Sequence, residues 1–127
     1  MPQSKRILIV SDSTEFPRVA LEEKGFAFAI SKDCDTAFAD LMKGSFDLLV
    51  LDLSSTRTGI DFIRRVRATP QFTGILILII AEWGTGEPTL ALSAGADAYE
   101  PVGVKQSPCR LITAIERLLS RQAAAAN

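Results

Sequence analysis

Two aspartates stand where chemistry is most easily built. Asp12 follows the apolar run Arg6–Val10 after one serine, and Asp52 closes the apolar run Leu48–Leu51. If the two runs are neighbouring strands, both carboxylates meet in one crevice. They repel each other there, and a hard divalent cation such as Mg²⁺ relieves the repulsion with carboxylate, carbonyl and water oxygens. The plainer alternative is that each aspartate only ends a strand or caps a helix, and the pattern leaves both open. The sequence has no histidine. That excludes His-based metal sites, Ser-His-Asp and Cys-His catalysis, and a phosphohistidine carried within these residues. A donor histidine for phosphoryl chemistry must belong to another protein, or the donor is a small molecule. No nucleophile has a base to activate it, so the chain is not read as an enzyme.

Five short apolar runs must position these residues: Arg6–Val10, Ala27–Ile30, Leu48–Leu51, Ile75–Ile80 and a weaker one at Ala98–Tyr99. Runs of this length fit strands buried on both faces. Amphipathic segments separate them. Phe16, Val19, Ala20 and Leu21 cover the first, with Pro17 in its first turn and Lys24–Gly25 as its stop. Asp33 caps the second, with Ala37, Phe38, Leu41 and Met42 facing inward and Gly44 ending it. Ile60, Ile63 and Val66 mark the third, which stops before Pro70. Leu90, Ala91 and Ala94 mark the fourth, ended by Gly95, and Leu111, Ile112, Ile115, Leu118 and Leu119 the fifth. Strict alternation of strand and helix predicts an α/β fold, a doubly wound parallel sheet with helices on both faces. Ligands of such sheets sit beyond the carboxyl ends of the strands, where strand order reverses.

The 127 residues suffice for one domain, expected over residues 1–122, with a flexible tail at 123–127. A net charge of −1 argues against a nucleic-acid partner. No apolar run approaches a membrane span or a signal-peptide core, so the expected location is the cytoplasm. Cys34 and Cys109 lie far apart without motif spacing and read as two reduced, partly buried thiols.

Several segments together resemble response-regulator receiver domains. They are Arg6–Asp12 (RILIVSD), Phe46–Leu53 (FDLLVLDL), Gly59–Arg67 (GIDFIRRVR) and Ser93–Tyr99 (SAGADAY). The resemblance covers nearly the whole chain with about one deletion. It implies a five-stranded sheet of order 2-1-3-4-5 with five helices, and a role in two-component phosphorelay signalling with a histidine kinase or another signalling protein as partner. Asp52 falls at the phospho-acceptor position, Asp12 at a direct Mg²⁺ ligand, Ser54 at the carbonyl that completes the metal site, and Tyr99 at the aromatic switch position. Glu82 follows the fourth strand, where an acid is often seen.

The departures are equally specific. Ser11 replaces the first acid of the pair, which weakens Mg²⁺ binding. Ile80 stands where a hydroxyl would bond the phosphoryl group, so the hydroxyl-to-aromatic coupling is missing. A gapless reading puts Val102 at the lysine position and Gly103 at the following proline. Shifting the gap to use Pro101 puts Glu100 there, and neither reading supplies a cation. Lys105 is near but out of register, and Lys105 and Arg57 are the side chains long enough to compensate, although each also reads as a solvated surface charge. The loop after Asp52 lacks the family's Met-Pro and is one residue short.

Three functional readings follow. The first is a phospho-accepting signalling domain, atypical or weakly phosphorylated. The second is a phosphorylation-independent interaction module that keeps only the fold. The third, a small-ligand binder using Ser11, Ser13 and Thr14, is disfavoured because that turn has no glycine. Trp83, beside Gly84 and Gly86, is either a partner anchor or an indole folded over the sheet end. With Ile80, Tyr99 and Val102 it belongs to the expected switch and output face. The family resemblance makes helix 4, strand 5 and helix 5 a homodimer face.

Overall fold

The computed structural model describes residues 5–13, 16–81 and 87–125. Five strands and five α-helices alternate: β1 (Arg6–Ser11), α1 (Arg18–Glu23), β2 (Ala27–Ser31), α2 (Cys34–Lys43), β3 (Leu48–Asp52), α3 (Thr56–Arg67), β4 (Leu76–Ala81), α4 (Glu87–Ala94), β5 (Ala98–Pro101) and α5 (Pro108–Ala125). Two 3₁₀ helices that periodicity did not foretell precede β4 and α5, η1 (Pro70–Phe72) and η2 (Val102–Gln106). All pairings are parallel, in the order β2-β1-β3-β4-β5. This is the expected doubly wound sheet.

The period-2 alternation of the strands sorts the core into two layers. Leu8, Val10, Leu49, Leu51, Ile77 and Ile79 face α2, α3 and α4. Ile7, Ile9, Leu48, Val50, Leu78 and Ile80 face α1 and α5. All five apolar residues read as the inward stripe of α5 are buried. Four expectations need correction. The runs at β2 and β5 are not buried on both faces, because both strands are sheet edges; Ile30 is exposed. Met42 is 53% exposed, since it sits about 100° around the helix from Leu41, and its sulfur lies 3.5 Å from the Gln71 amide nitrogen. Val19 and Leu90 also face outward. Cys109 is exposed rather than partly buried, one residue into α5 on its solvent side.

Local chemistry sets the helix ends. The Asp33 side chain accepts from the Thr36 N–H at 2.8 Å, capping α2, and this holds its carboxyl below the usual range. Gly25, at φ +80°, closes α1 in the left-handed conformation. Gly95, at φ +124°, turns the chain from α4 toward β5. Arg67 fills the space beside it. Its Nε donates to the Gly95 carbonyl at 3.0 Å, and its Nη2 lies 2.9 Å from Asp97 Oδ2. Asp97 in turn accepts from the Ile77 N–H at 2.9 Å. One guanidinium thus joins α3, the α4–β5 turn and the start of β4.

Two outcomes follow. Gly95→Ala should destabilise the chain by more than about 1 kcal/mol, from its φ alone. The new Cβ would also lie 2.6 Å from Arg67 Cγ. An unchanged urea midpoint would show that the turn relaxes freely. Burial, with Asp35 and Asp33 adding to it, pushes the half-buried Cys34 thiol up from its ordinary value. A thiol reagent should therefore modify exposed Cys109 first and reach Cys34 only as the pH rises further, resolved by peptide mapping.

Candidate functional site

Strand register builds the site. Parallel pairing sets Ser11 opposite Asp52 on one side and Ile80 opposite Asp52 on the other. Three strand ends therefore stand abreast at the carboxyl edge of the sheet. Asp12, the next residue after β1, projects from the rim and is exposed.

Asp52 is buried, its side chain 7% exposed. Two groups meet its carboxylate. Lys105 Nζ lies 3.0 Å from Oδ1 and 3.4 Å from Oδ2. The Ser11 hydroxyl donates to Oδ2 at 2.9 Å. Asp12 faces the loop after β3: the Ser54 N–H lies 3.1 Å from both of its carboxylate oxygens, and the Ser54 hydroxyl donates to Oδ2 at 2.8 Å. Ser55 then caps α3, its hydroxyl accepting from the Thr58 N–H at 3.2 Å. Asp12 thereby ties the β1–α1 loop to the β3–α3 loop.

Lys105 arrives from an unexpected place. It lies in η2, three residues beyond Val102. In a 3₁₀ helix, residues three apart are eclipsed, at a rise of about 2 Å per residue. A lysine one 3₁₀ turn late is therefore still on the same side of the chain, and its long stem spans the extra rise. The lysine side chain is 15% exposed, so this is no solvated surface charge. Arg57 behaves differently. It is exposed and lines a cleft of about 270 Å³ with Ile60, Asp61, Arg64 and Leu90 between α3 and α4.

The other candidates fall as follows. Ile80 is buried in the α1–α5 layer, while half-buried Tyr99 packs against the opposite layer. Residue 80 pairs with Glu100, and Tyr99 with Ile79, so the two side chains leave the sheet on different faces. Val102 begins η2, but its side chain lies outside the described ones. Thr14, Glu82 and Trp83 lie outside the described residues. Among the described residues no three His, Cys, Asp or Glu side chains cluster as a metal site. Asp12 and Asp52 carry the hard carboxylate oxygens that suit Mg²⁺. Sequence reasoning missed the Ser11 hydroxyl as a partner of Asp52. The signal was present in two adjacent apolar runs ending at Ser11 and Asp52.

A doubly wound parallel sheet with an acid after β1, an acid at the end of β3 and a lysine reaching the β3 acid defines an α/β domain with a carboxylate at its switch point. Comparison identifies which kind. No family model matches the sequence. The chemotaxis protein CheY of Pseudomonas aeruginosa is 35% identical over 100 residues, covering 74% of this chain and 81% of that one. The transcriptional regulatory protein CpxR of Escherichia coli K12 is 34% identical over 76% of this chain. This chain spans only 42% of CpxR's length. A CheY-like receiver domain from Methanospirillum hungatei superposes with a TM-score of 0.84 at 25% identity, over 97% of this chain and 99% of that one. The chain belongs to the response-regulator receiver-domain family.

Replacing Lys105 with Met leaves the Asp52 carboxylate buried without its counter-ion. The expected loss is about 3–5 kcal/mol, seen as a lower urea midpoint at unchanged slope. A wild-type midpoint would mean that the ion pair contributes nothing to stability.

Proposed function

We propose that this chain is a two-component receiver domain whose Asp52 accepts a phosphoryl group, weakly and without a hydroxyl–aromatic switch. The donor is a histidine kinase or a small phosphorylated molecule. The observation that carries this reading is the Lys105 ammonium 3.0 Å from Asp52 Oδ1. A fixed cation at the acceptor carboxylate offsets charge that gathers on the phosphoryl oxygens during transfer. A bond forms between an Asp52 oxygen and phosphorus as the phosphorus–nitrogen bond of the donor histidine breaks. The freed imidazole keeps the electron pair.

Asp12, Asp52 and the Ser54 carbonyl would hold Mg²⁺, which supplies charge neutralisation to the phosphoryl group. One acid fewer in the set, at Ser11, lowers the affinity for that ion. The alkyl side chain of Ile80 gives no hydrogen bond to the phosphoryl group, and a missing donor of this kind costs about 3 kcal/mol of transition-state stabilisation.

Ile80 also favours a second reading, a pseudo-receiver that binds its partner regardless of phosphorylation. In either case output is by protein contact through α4, β5 and α5, with a signalling protein or a second copy of the chain. The outward-facing Leu90 and Leu92 on α4 support that surface. Among the described residues no helix is long and apolar enough to cross a membrane, and we read the chain as cytoplasmic.

Titration with Mg²⁺ and beryllofluoride, followed by amide NMR, tests the reading. Shifts at Asp12, Asp52 and Tyr99 that vanish in Asp52→Asn are expected. Silence at millimolar Mg²⁺ would leave the pseudo-receiver.

A further inference from the structure

Ser11 appears in the sequence as a lost acid, but its geometry gives it a task. It is buried at the end of β1, directly opposite Asp52. The Ser13 N–H donates to Ser11 Oγ at 3.2 Å. That bond uses an oxygen lone pair and leaves the hydroxyl proton for an acceptor. Two acceptors are within reach, Asp52 Oδ2 at 2.9 Å and the Ser13 carbonyl at 3.4 Å. The nearer, ionised one wins, because a charged acceptor makes the bond about twice as strong. Lys105 holds the other oxygen at 3.0 Å. The carboxylate is thus gripped from β1 and from η2, which fixes its plane. From β4, Ile80 offers it no polar atom.

We infer that Ser11 is the positioning residue of Asp52, whose hydroxyl orients the carboxylate for attack on phosphorus. The inference rests on the phospho-acceptor reading above. With acetyl phosphate as donor, a bond forms between an Asp52 oxygen and phosphorus while the phosphorus–oxygen bond to acetate breaks. Acetate leaves with the electron pair, and Ser11 keeps its proton throughout. A hydroxyl suits this place because it donates to the carboxylate and holds it in one orientation, whereas a second carboxylate there would repel it. The chain therefore has a hydroxyl beside its acceptor after all, on the β1 flank instead of the β4 flank.

The experiment uses the full chain as wild type, S11A and S11T. Without any donor, the Asp52 carboxyl ¹³C resonance and the Ser13 amide should both move in S11A and return toward wild type in S11T. With acetyl phosphate and saturating Mg²⁺, labelling of Asp52 should slow about 10-fold in S11A and recover in S11T. Unmoved Asp52 and Ser13 resonances in S11A, or an unchanged labelling rate, would overturn the positioning role. Absence of label on the wild type, with the resonances still shifting in S11A, would instead sink the phospho-acceptor reading while leaving the grip of Ser11 on Asp52 standing.

Discussion

A carboxylate buried at the end of an apolar strand is the constraint to which the upper half of this domain answers. Isolated in low dielectric, such a charge costs several kcal/mol. Asp52 ends a strand whose other four residues are fully buried leucines and a valine. Its neighbours in the sheet give it little, since Ile80 is alkyl. The compensation comes from the Ser11 hydroxyl and from a lysine delivered by a 3₁₀ helix. The connection between β5 and α5 is thereby committed to electrostatics at the centre of the sheet. Asp12, at the exposed rim, is served by the backbone and hydroxyl of Ser54.

The fold was largely legible because its signals are periodic. Runs such as Ile7–Val10 and Leu48–Leu51 are too short for helices and too apolar for loops, and α5 shows a clean inward stripe. Errors fell where position in the sheet, not local pattern, decides exposure. Ile30 looks like a core residue and sits on an edge strand. Met42 looks like part of a stripe and lies just past it. Nothing in a pattern of apolar residues announces η1 or η2, since three to five residues carry no period.

The site was legible only in part, for a related reason. Asp12 and Asp52 mark themselves by following apolar strands. Ser11 does not, and Lys105 shows in the sequence only as a side chain long enough to compensate, because their roles depend on register and on how a loop folds back. Ser11 acquires a partner only once β1 and β3 pair in one particular offset. Ile80 and Tyr99 were both expected on the switch and output face, and the sheet sends them to opposite layers.

The 3₁₀ conformation of η2 has an evolutionary corollary. Because one turn takes three residues, a functional side chain can slip by three places in the chain and still meet the same target in space. Column-by-column alignment counts that slip as a loss, and would score this chain as lacking a cation that its fold supplies. Short 3₁₀ connections next to active sites are therefore places where ancestry can blur while chemistry persists.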